Sequence, residues 1–205
     1  MLRSATGAVK RRQPLTNRSV GPTSAPAMQR ELTYAIAPAG PADAAALARV
    51  HVDSWRETYA GILPRPYLDR MSVALHERHW RHRLAATREV TLAAEGHNGL
   101  VGYVSAQRSR RRGPPGEAEI ATLYVLRAAQ GVGLGRALFT AAARVMAARG
   151  ANALILWVLR DNERARGFYE RLDGRLDFAS EEYVGGAVAP SVRYRWGDLK
   201  GWLAA

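Results

Sequence analysis

The sequence predicts one mixed α/β sandwich, and three observations carry that expectation. The apolar residues switch repeatedly between the period of two that marks a half-buried strand and the period of three to four that marks an amphipathic helix. Two alternating runs flank Gly96-His97-Asn98-Gly99, whose Asn-Gly step is a strong hairpin signal. Ala153 to Leu159 is a continuous apolar run, the pattern of a strand covered on both faces. At 205 residues, 47% hydrophobic and 23% charged, the chain suits one globular domain with a sizeable core and is short for two.

Leu32 to Ile36 alternates as a first strand, and Pro38, Gly40 and Pro41 break it ahead of a helix from about Ala42 to Trp55. Leu47, Val50, His51 and Ser54 share that helix's inward face. A turn from Gly61 to Pro66 leads to a second helical stretch, roughly Tyr67 to Ala86, striped by Val73, Trp80 and Leu84. Val90 to Glu95 and Leu100 to Gln107 are the hairpin strands. Arg108, Arg110, Arg111 and Arg112 with Gly113 to Gly116 make a longer turn into strand Glu119 to Val125. From Gly133 to Arg149, Leu134, Leu138, Ala141, Ala142 and Val145 recur at helical spacing, and Gly150 fits a left-handed cap. Asp161 or Asn162 caps a helix carrying Ala165, Phe168, Tyr169 and Leu172 on one side. A loop holding Gly185 and Gly186 precedes a last strand, Ser191 to Trp196.

Composition excludes several chemistries. Zero cysteines remove disulfides, thiolate metal sites and a cysteine nucleophile. No apolar run approaches the ~20 residues of a membrane-spanning helix, so a soluble chain is expected. The net charge of +12 divides unevenly: residues 1 to 30 hold six bases and no acid, and the rest holds 24 bases against 18 acids. That first segment is rich in Ser, Thr, Pro and Gly and is expected to be a disordered basic tail before a single domain over 31 to 205. Outside it no basic patch is interleaved with aromatics, which makes a nucleic-acid partner the least favoured reading.

The chemically richest segment is Gln130-Gly131-Val132-Gly133-Leu134-Gly135-Arg136, set between an apolar strand and an amphipathic helix. Unpaired amides at a helix N-terminus, added to the helix dipole, suit phosphate groups. A P-loop needs Gly-Lys-Ser/Thr, and the only lysines are Lys10 and Lys200. A dinucleotide fingerprint needs a third glycine where Arg136 stands and an acid well before Asp161. A ligand-free strand-to-helix turn remains the competing reading of the glycines alone.

Gln-x-x-Gly-x-Gly from Gln130 to Gly135 resembles the pyrophosphate-binding segment of the GCN5-related N-acetyltransferases, the GNAT family. Glu119 to Val125 looks like that family's fourth strand, and Asn162 followed by Ala165, Phe168, Tyr169 and Glu170 looks like its Asn-x-x-Ala-x-x-Phe-Tyr-Glu helix. Trp55 to Gly61 and Pro64 to Asp69 are similar to a segment of small bacterial amine and amino-acid acetyltransferases. The resemblance covers roughly residues 31 to 198. It implies a mixed, mostly antiparallel sheet of about six to seven strands flanked by helices, with a V-shaped splay between the fourth and fifth strands.

The same resemblance implies acetyl-CoA as cosubstrate, no metal, a small-molecule amine acceptor and a cytoplasmic enzyme. The backbone of Leu123, Tyr124 and Val125 would pair with the pantetheine arm. Gln130, Gly131, Val132, Gly133, Leu134, Gly135 and Arg136 would hold the pyrophosphate, and Asn162, Ala165 and Phe168 would flank the pantetheine. Glu119 matches an acidic position used as base toward the amine, directly or through water; the alternative is a strand-end carboxylate paired with Arg108 or Arg110. Tyr169 matches the general acid that protonates the departing thiolate, and the amide of Val125 would meet the oxyanion. Trp55, Glu57 and Tyr59, with residues of the Gly185 to Ser191 loop, would border the acceptor, where aromatic walls and a carboxylate suit a small cationic amine. A protein or peptide acceptor, or a non-catalytic acyl-CoA sensor, is the rival reading. Many relatives pair, which leaves a homodimer open.

His76, His79 and His82 with Glu77 could suggest a metal site, but His82 is rotated about 120° from His76 on a helix and no His-Glu-x-x-His pattern occurs. A polar, partly solvated helix face is the better reading of those histidines.

Overall fold

Seven strands form one sheet: β1 (Ala35–Pro38), β2 (Glu89–Gly96), β3 (Gly99–Arg108), β4 (Glu117–Val125), β5 (Ala153–Leu159), β6 (Arg175–Val184) and β7 (Ala187–Trp196), in the order β1-β2-β3-β4-β5-β7-β6. Every neighbouring pair is antiparallel except β4 and β5, which run parallel. The structure, a computed structural model, describes residues 33–86, 89–109 and 114–205. The basic tail, Leu32 and the Arg110 to Gly113 part of the arginine turn lie outside the described residues.

Two helical layers cover the sheet. On one face α4 (Leu134–Ala148) buries Leu134, Leu138, Phe139, Ala142, Ala143 and Met146. That face is turned one position from the predicted stripe, since Ala141 and Val145 are only partly buried. On the other face lie α1 (Ala44–Tyr59), α2 (Arg65–Asp69) and α3 (Val73–Ala85). Leu47, Val50, His51 and Ser54 of α1 are buried, as their spacing predicts. The helical stretch predicted from Tyr67 to Ala86 is two helices, because Ser72 caps α3 by accepting from the Leu75 amide at 3.3 Å. Trp80 of α3 is 2% exposed and packs edge-on to Tyr103 with ring centroids 5.0 Å apart. Burying an aromatic of this size contributes about 3 kcal/mol.

Two elements were not expected. β6 is a ten-residue edge strand in a stretch to which the sequence periodicity assigns no element, and α6 (Leu199–Ala204), capped by Asp198, follows β7. The hairpin β2–β3 turns through His97 and Asn98, and Gly99, not a central turn residue, takes the positive φ of 109°. Among the described residues no helix is long and apolar enough to cross a membrane.

The feature that places the site is a bulge. β3 pairs Ser105 with Thr122 and Ala106 with Ile120, so Ala121 is one residue too many. Ahead of it, β4 and β5 pair from Glu117–Ala153 to Ile120–Leu156; beyond it they part. The extra residue bends β4 where the parallel ladder stops, which opens the splay expected between the fourth and fifth strands.

Candidate active site

The parted strands enclose a cavity of about 480 Å³. Its walls are Ile120 to Val125 of β4 and Leu156 to Val158 of β5, and its base is the glycine loop with α5 (Glu163–Glu170). Among the described residues its charged lining is Arg136, Arg164 and Arg171, with no acidic side chain.

Each glycine of the loop has its own reason. Gly131 and Gly133 both take φ of 82°, which turns the chain sharply from β4 into α4. Gly135 lies under Phe168, whose ring would stand 3.3 Å from an added Cβ, so the loop and α5 meet closely. Among the described turns and caps, no backbone carbonyl accepts from the amides of 131 to 136. First-turn amides with three arginines and no carboxylate suit a diphosphate. Gln130 donates from Nε2 to the Val125 carbonyl at 2.7 Å and so ties the loop to the end of β4. Arg136 donates to the Arg171 carbonyl at 3.1 Å. Val132 is exposed and Leu134 is buried in the core, and neither side chain lines the cavity.

On the flank, Leu123, Tyr124, Val125, Asn162, Ala165 and Phe168 all line the cavity. Asn162, not Asp161, caps α5: its Oδ1 accepts from the Ala165 amide at 3.1 Å. Tyr169 is 7% exposed, lines the cavity and lies edge-on to Phe168 at 5.2 Å. Burial pushes its hydroxyl pKa well above the ordinary tyrosine value, so the group stays protonated at neutral pH. Sequence reasoning missed Arg164 and Arg171. The signal was present, since positions 164, 168 and 171 share one helical face with the phenylalanine.

The opposite end is aromatic and neutral. Thr58 and Tyr59 line it, and the Tyr59 hydroxyl is 3.0 Å from that of Tyr124. Burial raises the pKa of both tyrosines. Trp55 stands behind them, 4.9 Å from the Tyr59 ring and 6.2 Å from the Tyr67 ring, and does not line the cavity. Tyr67 of α2 meets the β6–β7 turn, where a Cβ on Gly185 would stand 2.5 Å from the tyrosine Cγ. Turn and helix thus pack against each other, and neither Tyr67 nor Gly185 lines the cavity.

Two expected carboxylates are elsewhere. Glu57 is exposed and accepts from the Arg127 amide at 3.0 Å, capping the 3₁₀ turn Arg127–Ala129 after β4. Glu119 sits on the closed part of β4, paired with Gln107 and Ile155, one residue before the cavity lining begins. Among the described residues no group of three His, Asp or Glu side chains is placed to hold a metal.

Residues 50–174, more than half of the chain, match the model of the Acetyltransferase (GNAT) family. The uncharacterised N-acetyltransferase YuaI of Bacillus subtilis (strain 168) is 28% identical over 153 residues, covering 75% of this chain and 87% of that protein. YncA from Salmonella typhimurium, solved with its cofactor acetyl-CoA, matches with a TM-score of 0.62 at 20% identity, over 82% of this chain and 95% of that one. The PaiA N-acetyltransferase of Thermoplasma acidophilum, in complex with coenzyme A, gives 0.61 at 20% identity over 78% and 98%. The matched span runs from within α1 through the bulged strand and the glycine loop to the turn after α5, the whole of the cavity's frame, and the chain belongs to the GNAT family of acetyltransferases.

Proposed function

We propose that the protein moves an acetyl group from acetyl-CoA to the primary amine of a small molecule such as an amino acid. The observation that carries this reading is one cavity with unlike linings: the glycine loop with Arg136, Arg164 and Arg171, the neutral aromatics Tyr59 and Tyr124, and Tyr169. Acetyl-CoA supplies an acyl group activated as a thioester. The amides of 131 to 136 with Arg136, Arg164 and Arg171 would take its phosphates, and the β4 edge from Leu123 to Val125 would pair with its pantetheine arm. Asn162 Nδ2 is left to contact that arm, because the cap engages only Oδ1.

The amine would approach from the side of Tyr59 and Tyr124. The aromatic lining from Tyr59 and Tyr124 supports a small acceptor. The Val125 amide would meet the charge developing on the carbonyl oxygen, and Tyr169 would give its proton to the departing thiolate. Glu119, one residue before the cavity lining, is the carboxylate that the resemblance offers as base, and Glu119→Gln tests it by moving the rate profile toward high pH. The function itself is tested by free-thiol release from acetyl-CoA across a library of small amines and a set of peptide N-termini. Turnover confined to small amines is expected. Turnover on peptides alone would reassign the acceptor, and tight acetyl-CoA binding with no turnover on any amine would make the chain a sensor.

A further inference from the structure

Acetyl transfer to an ammonium leaves one proton to discard, and among the described residues neither a carboxylate nor an imidazole lines the cavity. That absence matters because the acceptor is read as an amine, and the proton route rests on that reading. A row of side chains runs from the cavity wall to the surface of α3. It begins at Thr122, directly after the bulge, which lines the cavity and whose hydroxyl is buried without a hydrogen bond of ordinary geometry. Thr122 lies opposite Ser105 and diagonal to Tyr103 on the same face of the β3–β4 pair, the spacing at which a small hydroxyl and a long phenol come within reach of each other. The Tyr103 hydroxyl, on a fully buried side chain, is hydrogen-bonded to His51 Nδ1 at 2.6 Å. The His51 ring stands 4.6 Å from that of His76, which is partly exposed, and exposed His79 is 6.1 Å further along.

We propose that the ammonium proton leaves the active site along Thr122, Tyr103, His51 and His76. As the amine N–H bond breaks, the Thr122 oxygen gains a proton and passes its own to Tyr103. Tyr103 passes one to His51, and one proton enters water beside His76. The amine is left neutral with its lone pair free, and every relay group ends as it began. The groups facing His51 are Trp55 on its own helix, His76 and Arg83 on α3, Tyr103 on β3 and Tyr124 on β4. Burial, with His76 and Arg83 adding to it, lowers the His51 pKa to about 3, so the imidazole hands a proton on and does not store it. This also gives the histidines of α3 a task at the surface.

The test compares two small primary amines of matched size, an alkylamine that is charged at neutral pH and an arylamine that is already neutral. Tyr103→Phe, His51→Gln and Thr122→Val should each lower kcat/KM for the alkylamine by about tenfold or more and move its pH limb to higher pH. The same variants should leave the arylamine within about twofold, which a merely structural role would not do. Equal losses with both amines, no loss with either, or a selective loss in Glu119→Gln but not in Tyr103→Phe would overturn the route. A wild-type protein that binds acetyl-CoA but acetylates neither amine, nor any other, would overturn the acceptor reading and the route together, and is told apart because no variant is needed to see it.

Discussion

Around the glycine loop the cavity is lined by backbone and three arginines; toward α1 it is lined by Thr58, Tyr59 and Tyr124, with Trp55 behind them and His51, held neutral, further back. The first end is built for fixed negative charge and gains from every positive group nearby. The second excludes charge, since burying an ammonium among neutral phenols costs free energy unless the proton leaves. On the proposed function the contrast would separate two tasks, holding the donor and deprotonating the acceptor, and substitutions at one end should leave the other nearly untouched.

The largest break should come at the boundary between the two ends. Tyr169→Phe is expected to lower kcat by about 10²- to 10⁴-fold with acetyl-CoA affinity unchanged, read by steady-state turnover and calorimetric binding. Next, Gly133→Val forces a β-branched residue to φ of 82° at the start of α4. The strain of about 1–3 kcal/mol should weaken acetyl-CoA binding by roughly tenfold or more, while the KM for the amine holds. Gly185→Val is the mirror experiment: driving a side chain into Tyr67 should cost about 1–3 kcal/mol of stability and raise the amine KM several-fold, with donor binding intact.

The smallest expected effect is a slope. His51 has its pKa lowered from 6.5 to about 3 by burial, so the unfolded chain binds the extra proton between those values and the folded chain does not. Stability is complete above pH 6.5 and falls as the pH drops toward 3, by up to about 1.4 kcal/mol per unit. His51→Gln should flatten that slope in thermal melts between pH 7 and 4; a wild-type slope retained in the variant would assign it to another group.

The donor end was far more legible in the sequence than the acceptor end, for a physical reason. Gln130 to Arg136, Asn162 and Phe168 act through backbone turns and helix caps, and those are written in consecutive residues. The acceptor end is assembled from α1, α2, β3, β4 and a hairpin tip, so the Tyr59–Tyr124 and Tyr67–Gly185 contacts have no local signature. Glu57 shows the limit: its type suited an amine, yet its carboxylate caps a turn 70 residues away. β5 was readable because both its faces are covered, whereas β6 was not, because as an edge strand it buries little and keeps Leu176, Phe178 and Tyr183 exposed. α4 was found at the right place but with its face slightly turned, since Phe139 and Met146 outweigh the alanines and Val145 that the spacing favoured.

Ala121 also acts on the parity of β4. Ile120 and Tyr124, four positions apart, would look to the same side in an uninterrupted strand, yet Ile120 packs in the α4 layer and Tyr124 against the α1 layer. The surplus residue thus shifts which residue numbers face each layer and bends the strand. Deleting it would keep every later side chain on its present side and remove only the bend, allowing the two parallel strands to zip on past Ile120 and leaving the same inventory of residues with no room between them.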